Sequence, residues 1–232
     1  YLACSKGRGA LDAVWAQAVK AEASIVINTC ALAGMWDLKS FFDTIDHTRL
    51  RSRGEELEYP SALLNLALAN YRAPRAVQTR DGIAEAVHPD RGVLPGCTYA
   101  KSLVGVYYIP PMDRFCMRHP DVDVTIYIDD ISLAVYGKSQ EESERLLTAA
   151  ALDLFQVIEK ELGCKIAPGK EAVVSSHPEL AKKLRANLGK AAGKPMNNTT
   201  FLGVDFAAGR KRGRGVAYTR TQRLVKGLKR KA

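Results

Sequence analysis

Apolar residues recur at helical spacing over residues 11–23, among strong helix formers, and predict a helix there. Over residues 24–36 the pattern turns β-branched and apolar, broken at Gly34; its last part predicts a strand that delivers Asp37. Asp46 is placed to cap a short helix over residues 47–53, and Pro60 to open another through Tyr71. Asp81-Gly82, between the alternating segments of residues 75–87, signals a hairpin. A Gly/Pro loop at residues 91–96 leads into an apolar helix over residues 98–108, which Pro110-Pro111 should end or kink. Two β-branched runs, residues 122–128 and 131–136, flank Asp129-Asp130 and read as strand, tight turn, strand. A long amphipathic helix over residues 139–162 follows, capped by Ser139, with Glu141, Glu142 and Glu144 at its positive end. A strand at Ala172–Ser175, a helix at Pro178–Leu188, a strand over residues 200–206 and a helical pattern over residues 220–231 complete the chain. Asn197-Asn198 and the glycine-rich residues 209–215 read as loops.

Strands separated by helices of ten residues or more indicate an α/β fold, an α+β sandwich. The expected core is a small antiparallel sheet with helices on one face and the other face open for a ligand. The length of 232 residues is enough to bury such a core in one domain or two small ones. No run of 18 apolar residues occurs, so no membrane span is expected. Five scattered cysteines without a C-x-x-C argue against a disulfide framework or zinc site and fit an intracellular, reducing compartment. The chain begins at Tyr1 and ends inside a basic pattern, so it reads as a fragment.

Charge changes the picture at one place. Of the 34 basic residues, ten fall between Arg210 and Lys231 with no acid among them; the other 24 face 25 acids. The net charge of +9 therefore sits in the C-terminal segment, which suits a nucleic-acid backbone. A solvated basic tail is the plainer alternative.

The candidate chemistry is acidic. Asp129-Asp130 sits at the tip of a predicted hairpin, and Asp37 and Asp43 follow an apolar run about ninety residues upstream. Carboxylates converging from two strand ends are what a Mg²⁺-dependent phosphoryl-transfer site needs. Strand alternation puts Tyr127 and Asp129 on one face and Asp130 on the other, which favours Asp129 as the partner of Asp37. Each signal has a plain alternative: Asp-Asp is a common turn dipeptide, and Asp37 alone fits a helix cap.

In combination the motifs resemble those of the reverse transcriptase palm, of the type found in non-LTR retrotransposons, group II introns and retrons. Asp37-Leu38-Lys39-Ser40-Phe41-Phe42-Asp43-Thr44-Ile45-Asp46-His47 is similar to the first palm motif, D-x-K-x-x-F-D-x-I-x-H. Tyr127-Ile128-Asp129-Asp130 is similar to the Y-x-D-D box, residues 162–170 to the following lysine motif, and Phe201-Leu202-Gly203-Val204 to the L-G motif of the primer grip. Residues 7–13 are similar to the loop and helix before the palm in LINE-type enzymes. One motif departs: the usual R-G-x-P-Q-G is here Arg91-Gly92-Val93-Leu94-Pro95-Gly96, without the glutamine.

The resemblance implies a polymerase palm with partial fingers and the start of a thumb. Its layout is palm entry over 1–36, palm over 37–208 with a finger-like insertion at about 54–96, and a basic linker and thumb start over 209–232. It implies RNA-directed DNA polymerisation by two-metal nucleotidyl transfer, with RNA template, DNA primer and dNTPs as partners and no membrane. Asp37, Asp129 and Asp130 would be catalytic, and the same three with the Leu38 carbonyl would hold two Mg²⁺ ions, for which Mn²⁺ can substitute. Phe42, Gly96 and Lys170 would meet the nucleotide: Phe42 as the sugar gate, Lys170 at the leaving pyrophosphate. Arg91, Tyr127, Leu202 and Gly203 would contact nucleic acid. A nuclear location follows for a eukaryotic retroelement. Two other readings stay open, an RNA-directed RNA polymerase and a degenerate palm that only binds nucleic acid; Phe42 and Tyr127-Ile128-Asp129-Asp130 weigh against the first. Without full fingers and thumb, the chain by itself is expected to be poorly active.

Overall fold

The computed structural model describes residues 9–196, 198–202 and 204–208. In chain order the elements are α1 (Ala10–Val26), β1 (Cys30–Asp37), α2 (Phe41–Thr44), α3 (His47–Glu56), α4 (Ser61–Arg72), β2 (Gln78–Thr79), β3 (Gly82–Ile83), α5 (Ala100–Arg118), β4 (Asp123–Tyr127), β5 (Asp130–Lys138) and α6 (Gln140–Gln156). A π-helical turn, Val157–Leu162, extends α6; then come β6 (Ala172–Ser175), α7 (Pro178–Leu188), a 3-10 turn (Gly189–Ala192), β7 (Lys194–Met196), β8 (Asn198–Phe201) and β9 (Val204–Ala207). The predicted loop at 209–215, the helical pattern at 220–231 and Gly203 lie outside the described residues. The chain divides into two compact units, one of residues 1–39, 115–156 and 166–232, the other of residues 40–114 and 157–165.

The first unit is built on a five-stranded sheet in the order β4-β5-β1-β6-β7. Strands β4, β5, β1 and β6 pair antiparallel, whereas β7 joins β6 in parallel. The expected all-antiparallel sheet therefore gains a parallel edge. Helix α7 is the reason, since it carries the chain back to the starting end of β6. Pro195 sits in β7, where an edge strand tolerates a missing N–H.

Every residue of β1 is buried. Ala31, Ala33 and Met35 pack with Val14 and Ala21 of α1 and with Phe201 and Phe206 of the β8–β9 hairpin. On the opposite face Trp36 meets Phe155 of α6 edge-on, with ring centroids 5.5 Å apart. Along β1 the sheet is thus covered on both faces, and the expected open face is restricted to a cavity at the Asp37 end. An uninterrupted apolar strand needs a cover on each side. Gly34 does not break the strand either: it pairs with Leu133 and Val173 and lies under the Trp36 ring.

In the second unit, Asp46 caps α3 as predicted, its side chain accepting from the Arg49 N–H at 2.8 Å. The predicted hairpin forms as β2–β3, with Arg80 and Asp81 as its turn residues and Gly82 opening β3 opposite Thr79. Helix α5 departs from expectation by running through Pro110 and Pro111 to Arg118. Pro111 has no N–H for the Tyr107 carbonyl one turn back. The Arg53 guanidinium donates to that carbonyl instead, lies over the Tyr107 ring at 4.5 Å, and also donates to the Glu161 carbonyl. A buried cation thus takes the place of the missing helical hydrogen bond, and the helix continues.

Candidate active site

The site forms at one end of β1. Strand β4 ends at Tyr127, strand β5 begins at Asp130, and these two residues pair across the turn. Ile128 and Asp129 are the two turn residues, and Ile128 has φ 60°. A two-residue hairpin turn needs positive φ at its first central position, which a β-branched side chain resists. This backbone strain sits beside the acidic cluster.

Asp37 is the direct register partner of Asp130. Paired residues share a sheet face, so Asp130 lies beside Asp37, and both line the same cavity. That corrects the alternation argument: the turn interrupts the strand, and Asp129 belongs to the turn rather than to the pleat. Asp129 is tied to the same place through its backbone, whose carbonyl accepts from the Leu38 N–H at 2.9 Å. The Asp37 carbonyl accepts from the Ala167 N–H at 2.8 Å, and Leu38 bridges to Ile166, which fixes the start of the loop carrying Lys170.

Lys170 Nζ donates to Asp37 Oδ2 in a close ion pair. The other oxygen, Oδ1, is buried and has no hydrogen-bond partner. Burial raises the Asp130 carboxyl to about 6, helped by the charges of Asp129 and Asp37. Burial, and then the charge of Asp37, also raise the Asp129 carboxyl, against an opposing pull from Lys170. The Lys170 ammonium is raised, chiefly by its hydrogen bond to Asp37. Asp37 and Asp130 line one cavity with a single paired cation, and the charges of Asp129 and Asp37 both bear on Asp130, an arrangement that favours additional positive charge. Among the described residues no group of three or more His, Cys, Asp or Glu side chains is placed to hold a metal ion.

The remaining candidates fall in several places. Leu202 occupies the turn between β8 and β9 with φ 49°, and Gly203 beside it lies outside the described residues. Phe42, Arg91 and Gly96 belong to the second unit. There the Val93 N–H donates to the Phe42 carbonyl, the Gly92 N–H to the Ile45 carbonyl, and Asp46 bridges to Arg91. The loop over residues 91–96 is thereby fastened to the segment after Asp37. Gly92 and Gly96 take φ 96° and 83°, conformations that glycine allows at no steric cost. Phe41 is buried against Tyr108, while Phe42 is only half-buried.

The cavity holding Asp37 and Asp130 has a volume of about 920 Å³, and its wall also carries Lys170, Arg185, Lys190 and Lys194. Sequence reading missed the last three. Nothing in their spacing separates them from ordinary solvated charges; only the path of α7 and β7 brings them beside the carboxylates.

No protein-family model matches the chain, and no curated protein matches it. Solved structures do. The structure of telomerase from Candida albicans in complex with a fragment of telomeric RNA matches 95% of this chain and 38% of its own, at 13% identity and a TM-score of 0.59. The corresponding complex from Candida tropicalis matches 82% of this chain and 31% of its own, at 12% identity and a TM-score of 0.58. Apo telomerase from Candida tropicalis, truncated of its C-terminal domain, matches 83% and 38% at 11% identity and a TM-score of 0.56. The chain thus spans only 31% to 38% of the length of these proteins. What it shares with them is the fold, which in this chain is a mixed α/β domain with a five-stranded sheet backed by helices. Among the described residues no helix is long and apolar enough to cross a membrane.

Proposed function

We propose that this chain is the palm, with part of the fingers, of an RNA-directed DNA polymerase from a retroelement. The observation that carries the reading is the pairing of Asp37 with Asp130 beside the Asp129 turn, with Lys170 on Asp37. The motif from Asp37 to His47 supports the non-LTR or group II type, and the telomerase likeness supports the polymerase fold. An intracellular reducing setting, and the nucleus for a eukaryotic element, belong to the same proposal.

Two Mg²⁺ ions belong to this reading. Asp37 Oδ1 is a buried carboxylate oxygen without a partner, and the Asp129 and Asp130 carboxyls are raised by burial and by the charge of Asp37. Mg²⁺ keeps water and leans on substrate phosphates, so two or three protein carboxylates suffice without a closed cage. Asp37, Asp129, Asp130 and the Leu38 carbonyl would hold the ions, which lower the pKa of the attacking hydroxyl and stabilise the leaving group when bound.

The chain's own residues would do the rest. The primer 3′-oxygen attacks the α-phosphorus of a dNTP, the α–β phosphoanhydride bond breaks, and pyrophosphate leaves. Lys170 would supply the proton or charge that the pyrophosphate takes up. Phe42 would crowd a ribose 2′-hydroxyl. Gly96 and Arg91 would meet the nucleotide and template, and Tyr127, Leu202 and Gly203 the primer end.

The test is single-nucleotide addition to a primed RNA template at high protein concentration. The parent chain is expected to add dNTP, and Asp129→Asn to lose this while retaining salt-sensitive binding of the template. Equal addition by variant and parent would rule the site out.

A further inference from the structure

Lys194 lies on the same sheet face as the catalytic candidates. The register runs from Ser132 through Met35 and Ala172 to Lys194, one residue on each of four neighbouring strands. Asp37 and Asp130 form the next row on that face. Strands are spaced about 4.8 Å apart, so Lys194 stands about 10 Å to the side of the β1 row. The cavity spans this gap. Its carboxylate side is Asp37 and Asp130; towards β7 stand Arg185, Lys190 and Lys194. Lys170 reaches in between and, among the described residues, is the only one of these cations paired with a catalytic carboxylate.

The basic side is partly built and partly unengaged. Arg185 is half-buried, and its guanidinium is fixed by donation to the Gly193 carbonyl. Gly193 takes φ 75° and packs so tightly on Glu171 that an added Cβ would overlap its backbone. This close contact fixes the path of the backbone into Lys194. Lys190 and Lys194 are exposed and have no ion pair among the described residues. One acid faces the same space: Glu171, whose Oε2 is buried without a partner.

We propose that Arg185, Lys190 and Lys194 form a polyphosphate site that receives the pyrophosphate released at Asp37. The inference rests on the polymerase reading and adds to it the route of the product. The offset of about 10 Å between the β1 and β7 rows is on the scale of a di- or triphosphate. Cations that approach from outside the carboxylate pair favour an anion moving away from it. A wall of lysines in water releases such an anion more readily than a closed cage of bidentate arginines holds it. Glu171 limits affinity, as product release requires.

The experiment is calorimetric titration of inorganic pyrophosphate into the 232-residue chain, without nucleic acid. A second readout is fluorescence in a Trp15→Phe background, where Trp36, on the cavity wall, is the remaining tryptophan. Saturable binding is expected, weakened tenfold or more by Lys190→Ala with Lys194→Ala and kept within about threefold by Lys194→Arg. Both lysines are exposed, so these variants should fold, and circular dichroism verifies it. In single-nucleotide addition the double variant should raise the pyrophosphate inhibition constant by the same factor, with template affinity unchanged. Absent binding, or equal binding by parent and double variant, overturns the proposal. So does a single-stranded oligonucleotide that fills the cavity while pyrophosphate fails to compete, since the groove would then take a strand. Lysine-dependent pyrophosphate binding together with equal nucleotide addition by parent and Asp129→Asn would leave the site standing and remove the polymerase reading; addition that depends on Asp129 without lysine-dependent pyrophosphate binding would do the reverse.

Discussion

Asp130 stands opposite Asp37 in the β1–β5 ladder, and Asp37 alone of the two has a cation on it. Like charges directly across a sheet destabilise it. Here they are also partly withdrawn from water, beside a third carboxylate on the turn. Such a cost persists when the rest of the fold over-determines the geometry, and β1 supplies that through buried contacts along its whole length.

The first prediction concerns pH. The Asp130 carboxyl titrates at about 6 in the folded chain, above an unfolded value of about 3.9. The folded state therefore holds this proton more tightly. The stability it contributes is complete below about pH 4 and is lost as pH rises through about 6. In chelator, Asp130→Asn should raise the urea midpoint relative to the parent at pH 7, and the difference should shrink towards pH 4. Parallel pH profiles for the two proteins would refute the assignment.

The second concerns the turn. Ile128 at φ 60° stores roughly 1–3 kcal/mol of backbone strain. Glycine removes this but adds about 0.5–1 kcal/mol of unfolded-chain entropy. Ile128→Gly should therefore stabilise the chain by about 1 kcal/mol in urea, whereas Ile128→Val, equally β-branched, should not. A destabilised glycine variant would mean that side-chain contacts at 128 outweigh the strain.

Much of this was legible in the sequence, for identifiable reasons. Asp46, Asp81-Gly82, Ser139 and Pro178 announce local structure through chemistry that acts within a few residues, and the elements they predict are present. Failures came where distant residues decide. At Pro111 of helix α5 the freed Tyr107 carbonyl is bonded by Arg53, more than fifty residues earlier. Asp130, not Asp129, is the register partner of Asp37, because the turn occupies the position that strand alternation assumed. Strand β7 contains a proline and three exposed residues, so neither propensity nor pattern marks it. Arg185, Lys190 and Lys194 gain meaning only from the path of α7 and β7.

The third prediction follows from α5. Arg53→Ala leaves the Tyr107 and Glu161 carbonyls without their charged donor, and hydrogen bonds of that kind contribute about 1.5–3 kcal/mol each. A loss of about 3 kcal/mol is expected. Pro111→Ala in the Arg53→Ala background should recover part of it, because the new alanine brings an N–H to the Tyr107 carbonyl. A double-mutant cycle in urea reads the coupling directly. Additive effects would show that Arg53 does not stand in for the missing bond.

The last concerns the strand that carries Asp37. A Cβ on Gly34 would overlap the Trp36 ring. The ring has little freedom to yield: its Nε1–H donates to the Ala191 carbonyl at 2.7 Å, and Phe155 packs against it edge-on. Overpacking a well-filled site costs about 1–3 kcal/mol. Gly34→Ala should fall at the upper end of that range, although alanine suits a strand better than glycine. Trp36→Phe shortens the ring and vacates the contested space, at the expense of a hydrogen bond and some packing. The double variant should therefore be at least about 1 kcal/mol more stable than the sum of the single losses. Strict additivity would mean that Gly34 is there for some reason other than the indole above it.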